Sequence, residues 1–294
     1  MNKNLSPLAI FCCDRTKLLK KLLLSLKKNY LSQYTTVYFF LDCSLNKNSQ
    51  AEVLEVISSV NFFKKKIIIK RQKKFGLRKN ILNGIKQVFT KHSKIIVLED
   101  DLEVSSNFLQ YCNKLLTVFK NNNDIYTISG FALIDFDNSK SMKKNYFISS
   151  RRPSSWGWAT WRGKWNYLNN NNKTNHKFSN FSYGNDLILM KEKKNINQLD
   201  SWAFDWTISH ILNSKYCLYP KYSLIKNNGH DNHSSNNFFN IKRKEFNFKI
   251  EKFDSFEYLK ENDIIRKKFK NYYDQNYLIF FLKLFVFKIF FLWR

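Results

Sequence analysis

Over the first 130 residues, short apolar runs alternate with stretches whose apolar positions recur at i, i+3/i+4 and i+7. The runs at residues 8–13, 37–41, 66–69, 95–98 and 125–129 predict buried strands, each too short for a helix of ordinary length. The periodic stretches predict four amphipathic helices. The first carries Leu18, Leu19, Leu22, Leu23 and Leu26 on one face, the second Val53, Val56, Ile57 and Val60. Ile81, Leu82, Ile85, Val88 and Phe89 form the third stripe, and Phe108, Leu109, Cys112, Leu115, Leu116 and Phe119 the fourth. Thr16 suits the N-cap of the first helix and Ser105 or Ser106 that of the fourth. Strand and helix in strict alternation predict an α/β fold, with a mostly parallel central sheet flanked by helices.

Beyond residue 130 the alternation gives way to aromatic and polar stretches, with asparagine-rich patches at 121–123 and 169–172 that read as loops. The chain is expected to divide into one domain over 1–240 and a basic tail over 241–294, which ends in an apolar segment predicted as a tail helix. Within the domain, residues 1–130 form one half and 130–240 the other. Residues 277–293 hold only Lys283 and Lys288 as charges; they suit either an interfacial anchor or a helix docked on the domain, and are short for a crossing helix. At the other end, the run at residues 7–13 meets Asp14 and Arg15 at once, so it reads as a first strand and not as a signal peptide.

Composition changes this picture little. The five cysteines include no pair at zinc-ligand spacing, and 294 residues suffice for a core without disulfide staples, so free thiols in a reducing, cytoplasmic setting are expected. Fifty Lys and Arg against 23 Asp and Glu give a formal charge of +27, which favours an anionic membrane surface, a phosphorylated ligand or a polyanion. Nucleic acid is the weak candidate: no recognised nucleic-acid module accompanies the charge, and the chain is rich in Lys, Asn, Ile and Phe throughout.

Chemistry concentrates at Glu99-Asp100-Asp101, directly after the apolar run Ile95-Ile96-Val97-Leu98. In open α/β sheets ligands gather at the carboxyl ends of the strands, so these acids should face a crevice. Three adjacent carboxylates repel one another unless a cation offsets them, and a hard divalent ion able to bridge a diphosphate is the natural partner. A P-loop or dinucleotide enzyme is disfavoured, because residues 9–20 contain no glycine.

Several motifs resemble the N-acetylglucosaminyltransferase I family and its bacterial relatives among GT-A glycosyltransferases. They are Cys13-Asp14-Arg15, Leu41-Asp42-Cys43, the run from Val97 to Val104, Asn80 to Ile85, Trp156-Gly157-Trp158-Ala159-Thr160-Trp161-Arg162, and Asn227-Asn228-Gly229-His230-Asp231-Asn232-His233. The resemblance spans roughly residues 7–235, with the boundary error usual for such readings. It implies a GT-A fold, a nucleotide-sugar donor (UDP favoured) and Mn2+ or Mg2+ held by Asp101. It also implies that Asp100 holds the donor's ribose or sugar, that Glu99 braces the loop, and that Arg15 and Asp42 contact uracil and ribose.

Other residues are candidates in their own right. Asp205, flanked by Phe204 and Trp206, is expected to act as general base, since apolar surroundings raise a carboxyl pKa; the family's base lies in a similar Trp- and Asp-rich stretch. Asp200 is the alternative base and, failing that, the N-cap of a helix over 201–213. The tryptophan motif reads as a loop whose indoles, Trp158 among them, suit the apolar faces of a sugar. His230 and His233 offer imidazole to a metal or phosphate, with His233 preferred as second metal ligand. Arg78 and Lys79 are candidates for the diphosphate. These expectations combine into an inverting, metal-dependent transfer to a glycan or lipid-linked acceptor at the inner membrane face. The alternative is a non-catalytic protein that binds a membrane surface or polyanion through its charge.

Overall fold

In the computed structural model the described residues are 5–132, 147–170, 181–229, 256–274 and Leu282. The first half runs β1 (Leu8–Cys12), α1 (Thr16–Lys27), β2 (Thr36–Leu41), α2 (Lys47–Ser59), β3 (Lys65–Lys70), α3 (Leu77–Phe89), β4 (Lys94–Glu99), β5 (Leu102–Val104), α4 (Phe108–Val118) and β6 (Ile125–Ser129). The five strands and four helices read from the hydrophobic pattern are all present. The second half adds β7 (Phe147–Ser150), β8 (Trp158–Trp161), α5 (Arg162–Asn170), α6 (Asp186–Asn195), α7 (Trp202–Leu212), β9 (Tyr216–Pro220), β10 (Ile225–Asn227), β11 (Tyr258–Leu259) and α8 (Asp263–Tyr273).

Nine strands form one sheet in the order β11-β7-β9-β6-β8-β4-β1-β2-β3. The run β3-β2-β1-β4 is parallel, β8 lies antiparallel between β4 and β6, and β6 pairs parallel with β9. Side chains alternate across this sheet as strand geometry requires. Leu8, Ile10 and Cys12 join α1, α2 and α4 in one core, while Ala9 and Phe11 face α3, α5 and α7 in another. The second contact is close at Gly84 of α3, where a Cβ would stand 2.5 Å from the Phe11 ring, so only glycine lets helix and strand approach this far.

Three caps differ from expectation. Thr16 is the first residue of α1, its hydroxyl buried without a hydrogen-bond partner, and Arg15 stands at the N-cap. Asn107 holds that place on α4 because β5 occupies the residues before Ser105. On α7 it is Ser201, not Asp200, whose side chain accepts from the Phe204 N–H.

Part of the expected tail belongs to the main body. β11 pairs parallel with β7 at the sheet edge, and Ile265 and Phe269 of α8 are buried in the first core. A division at residue 240 therefore does not separate 256–274 from the sheet. The apolar segment 277–293 lies outside the described residues apart from Leu282, and among the described residues no helix is long and apolar enough to cross a membrane.

Candidate active site at the carboxyl ends of the parallel strands

β4 ends at Glu99, and the chain turns at Asp100 and Asp101 before β5 begins. β5 pairs antiparallel with β10, so the residues after β10 return to the turn. Asn228 donates its backbone N–H to the Asp101 carbonyl at 2.8 Å. Next in line, Gly229 packs so closely that a Cβ there would lie 2.2 Å from Asp101 Oδ2. On the other side, Asp100 donates its N–H to the Phe11 carbonyl of β1, and Cys13 N–H reaches back to Asp100 Oδ2 at 3.4 Å.

Arg15, at the start of α1, closes the cluster. Its guanidinium pairs with Asp100 and, through Nη1 at 3.1 Å, with Asp101 Oδ2. The cluster remains short of positive charge. Burial, then repulsion from Asp101 and Asp100, pushes the Glu99 carboxyl up to about 8. Burial likewise raises Asp100 to about 7, partly offset by Arg15. Asp100 Oδ1 is buried and receives no hydrogen bond beyond that ion contact. Hard oxygen donors deprived of countercharge fit a divalent cation. Among the described residues no three or more His, Cys, Asp or Glu side chains are grouped so as to hold a metal ion by themselves.

The acids open into a cleft of about 830 Å³ lined by residues that follow β1, β2 and β4 and by segments from the second half. Asp42, at the end of β2, lines it too, yet its carboxylate already accepts the N–H groups of Cys43, Phe75 and Gly76, all at 2.9 Å. Its structural work is to hold the turn before α3, where Gly76 adopts φ +74°.

Asp205 is placed otherwise than expected. It faces Arg78, whose Nη2 lies 3.0 Å from Oδ2, and Lys194, which pairs with Oδ1, and it does not line the cleft. Both of its oxygens are taken up by ion pairs and neither is turned to the cleft. Asp200 is the acid that lines the cleft, its side chain 81% exposed and 3.3 Å from Arg78 Nε. Arg78 is thus engaged by two carboxylates, and Lys79 sits over the Phe75 ring.

The expected sugar contact at Trp158 also changes. Trp158–Trp161 is a strand, not a loop, and Trp158 is 1% exposed. Its indole stacks against Trp165 and Trp202 at 5.5 and 5.3 Å, and Trp206 lies 5.7 Å away. A ring enclosed by three others offers no face to a ligand. Trp156, just before Gly157, is the member of the motif that lines the cleft. His230 and His233 lie outside the described residues, although the chain leaves Gly229 beside Asp101. Reading the sequence also missed Tyr272 and Tyr273 of α8, which line the same cleft from far along the chain.

The profile of glycosyl transferase family 2 matches residues 8–191, which hold β1 through the first residues of α6, including the acidic turn and Trp156. The chain belongs to this family. As a family-2 glycosyltransferase it shares the GT-A fold expected from its motifs, while its likeness to the N-acetylglucosaminyltransferase I family remains one of motifs. The structure of GalNAc-T7 with UDP, GalNAc and Mn2+ is similar at a TM-score of 0.51 and 13% identity, over 77% of this chain and 44% of that one. S. aureus TarS, residues 1–349, gives a TM-score of 0.46 at 12% identity, over 74% and 59% of the two chains. This glycosyltransferase thus spans less than half the length of GalNAc-T7 and less than two thirds of that TarS chain. Comparison with curated proteins gives no match.

Proposed function

We propose that the enzyme transfers a sugar from a nucleoside-diphosphate donor, UDP-linked, to a carbohydrate acceptor, with inversion and with the aid of Mn2+ or Mg2+. The observation that supports this most directly is the electron-rich turn Glu99-Asp100-Asp101 opening into the cleft at the end of β4. GalNAc-T7, which has the same fold, was solved with UDP and Mn2+.

In this reading Asp101 holds the cation and Asp100 the donor's ribose or sugar, while Glu99 braces the turn. The cation, when bound, neutralises charge that develops on the departing diphosphate. Arg15 turns from the carboxylates to the nucleotide, and Asp42 fixes the turn against which the base rests. Asp200, rather than Asp205, takes the proton from the acceptor hydroxyl as that oxygen bonds to the sugar's anomeric carbon and the nucleotide leaves. Trp156 offers the indole face first expected of Trp158. His233 is retained as a candidate second metal ligand because the chain leaves Gly229 in contact with Asp101.

A net charge of +27 supports work at an anionic membrane face, where a lipid-linked acceptor would be presented. Titration calorimetry of UDP with and without Mn2+, on the parent and on Asp101→Asn, tests the donor site. Binding that needs Mn2+ and is lost in the variant is expected. If the parent binds no nucleoside diphosphate in the presence of metal, the reading fails and heparin or anionic vesicles become the ligands to try.

A further inference from the structure

The family profile ends at residue 191, yet part of the cleft wall comes from residues 256–274. This stretch is locked in place at several points. β11 adds to the sheet beside β7. The Glu261 carboxylate, with no exposed surface, receives hydrogen bonds from Ser150 Oγ at 2.8 Å, the Arg151 N–H at 2.9 Å and the Tyr183 hydroxyl at 2.8 Å. Beyond α8, Asp274 accepts the Asn185 N–H, just ahead of α6, at 2.8 Å. A wall anchored at both ends, with Ile265 and Phe269 buried between, is rigid enough to shape a ligand site.

Its contribution to the cleft is aromatic. The ring of Tyr273 lies over the Arg152 guanidinium at 3.3 Å, and Tyr272 meets Tyr273 edge to face at 5.1 Å. Arg152 is at the same time paired with Asp186 and donates to the Tyr183 carbonyl, so its charge is neutralised and its face covered. Trp156, edge to face with Phe131 at 4.7 Å, lines the same cleft. The order of the sheet separates the two tyrosines of α8, though not Trp156, from the donor residues. Asp42, Arg15 and the acidic turn follow β2, β1 and β4, whereas α8 sets Phe269 against Tyr219 of β9 in the other half of the sheet, and Trp156 stands between them ahead of β8.

We propose that Tyr272 and Tyr273, together with Trp156, form the acceptor subsite and seat a neutral pyranose ring, so that acceptor choice is set by a segment outside the family profile. Aromatic faces match the C–H faces of a pyranose, and the neutralised Arg152 gives no reason for an anionic acceptor ring. The inference rests on the donor reading above, which assigns the nucleotide to the residues after β1, β2 and β4.

Saturation-transfer NMR on the full chain with UDP and Mn2+ tests it, with the methyl β-glycosides of glucose, galactose and N-acetylglucosamine as probes. At least one glycoside should show transfer to its ring protons with the parent. Tyr272→Ala should lower that signal by about fivefold or more, as loss of a stacking face predicts, and Tyr272→Phe should restore it. UDP affinity of Tyr272→Ala should match the parent although its melting temperature falls with the lost packing, and Tyr272→Phe should restore both melting and signal, which separates a lost ring contact from a loosened wall. Parent-level signal in Tyr272→Ala overturns the proposal, as does absence of signal for all three glycosides in a parent that binds UDP. Failure of the parent to bind UDP instead removes the donor reading itself.

Discussion

Arg15, the N-cap of α1, and Asp101 after β4 are joined by an ion contact of 3.1 Å between Nη1 and Oδ2, and the same guanidinium also pairs with Asp100. A guanidinium and a divalent cation compete for the same oxygens, so Arg15 opposes metal binding until it moves. Two unit charges about 4 Å apart interact by about 4 kcal/mol at an effective dielectric near 20, so even with most of that screened by solvent the removal of the guanidinium should tighten cation binding by about tenfold or more. Arg15→Ala should therefore bind Mn2+ alone more tightly than the parent and UDP–Mn2+ more weakly. Electron paramagnetic resonance of free Mn2+ at pH 8 measures the first, calorimetry the second. Weaker binding of Mn2+ alone by the variant would show that Arg15 and the cation do not share the site.

The two candidate bases separate by stability against turnover. Asp205 sits between Arg78 and Lys194, both partly exposed, so Asp205→Asn leaves two cations facing an amide and should cost about 1–2 kcal/mol after allowance for solvent screening. Asp200 has one long contact and an exposed side chain. Asp200→Asn should melt with the parent but lose about 100-fold or more in turnover, the usual worth of a general base. Measured melting temperatures and initial rates that reverse this pattern would return the role to Asp205.

The reason Asp205 misleads is instructive about what a sequence shows. Its apolar neighbours Phe204 and Trp206 suggest a desolvated acid, but the two cations that hold it come from α3 and α6, at positions no local pattern indicates. Strands β1, β2 and β4 were legible because continuous Ile, Val, Leu and Phe runs are buried on both faces, and the acidic turn was legible by its place after one of them. β7, with Phe-Ile-Ser-Ser, and β8, with Trp-Ala-Thr-Trp, lack such runs. Trp158 and Trp156 are two residues apart and differ only in whether the strand has begun, which composition does not report. Tyr272 enters the cleft through a long-range pairing of β11 with β7, and no short-range signal foretells it.

Acid should destabilise the protein through His210. This side chain is fully buried on α7, its ring nitrogens engaged with Thr127 Oγ1 and the Trp206 carbonyl, and burial lowers its pKa to about 3. Between pH 6.5 and 3 the unfolded chain takes up a proton that the folded chain refuses, so stability falls as pH falls through that window and is untouched by this group above it. The slope is about 1.4 kcal/mol per pH unit below 6.5. His210→Gln should flatten that part of a denaturant-midpoint profile; an unchanged acid slope would assign the loss to other groups.

Gly229 tests whether the loop after β10 belongs to the cation site. A methyl group there would stand 2.2 Å from Asp101 Oδ2, a distance that neither group tolerates, so Asp101 or the loop must shift. Displacement by even 1 Å is enough to spoil a coordination geometry held within a few tenths of an ångström. Gly229→Ala should therefore weaken UDP binding in Mn2+ by about tenfold or more, read by calorimetry. Gly163 in α5 supplies the control, since a Cβ there meets nothing within 4 Å. Gly163→Ala lies in a helix and should raise stability by up to about 1 kcal/mol with no effect on ligand binding. Should Gly229→Ala bind UDP and Mn2+ like the parent, Asp101 tolerates displacement, and the cation must be held by other oxygens.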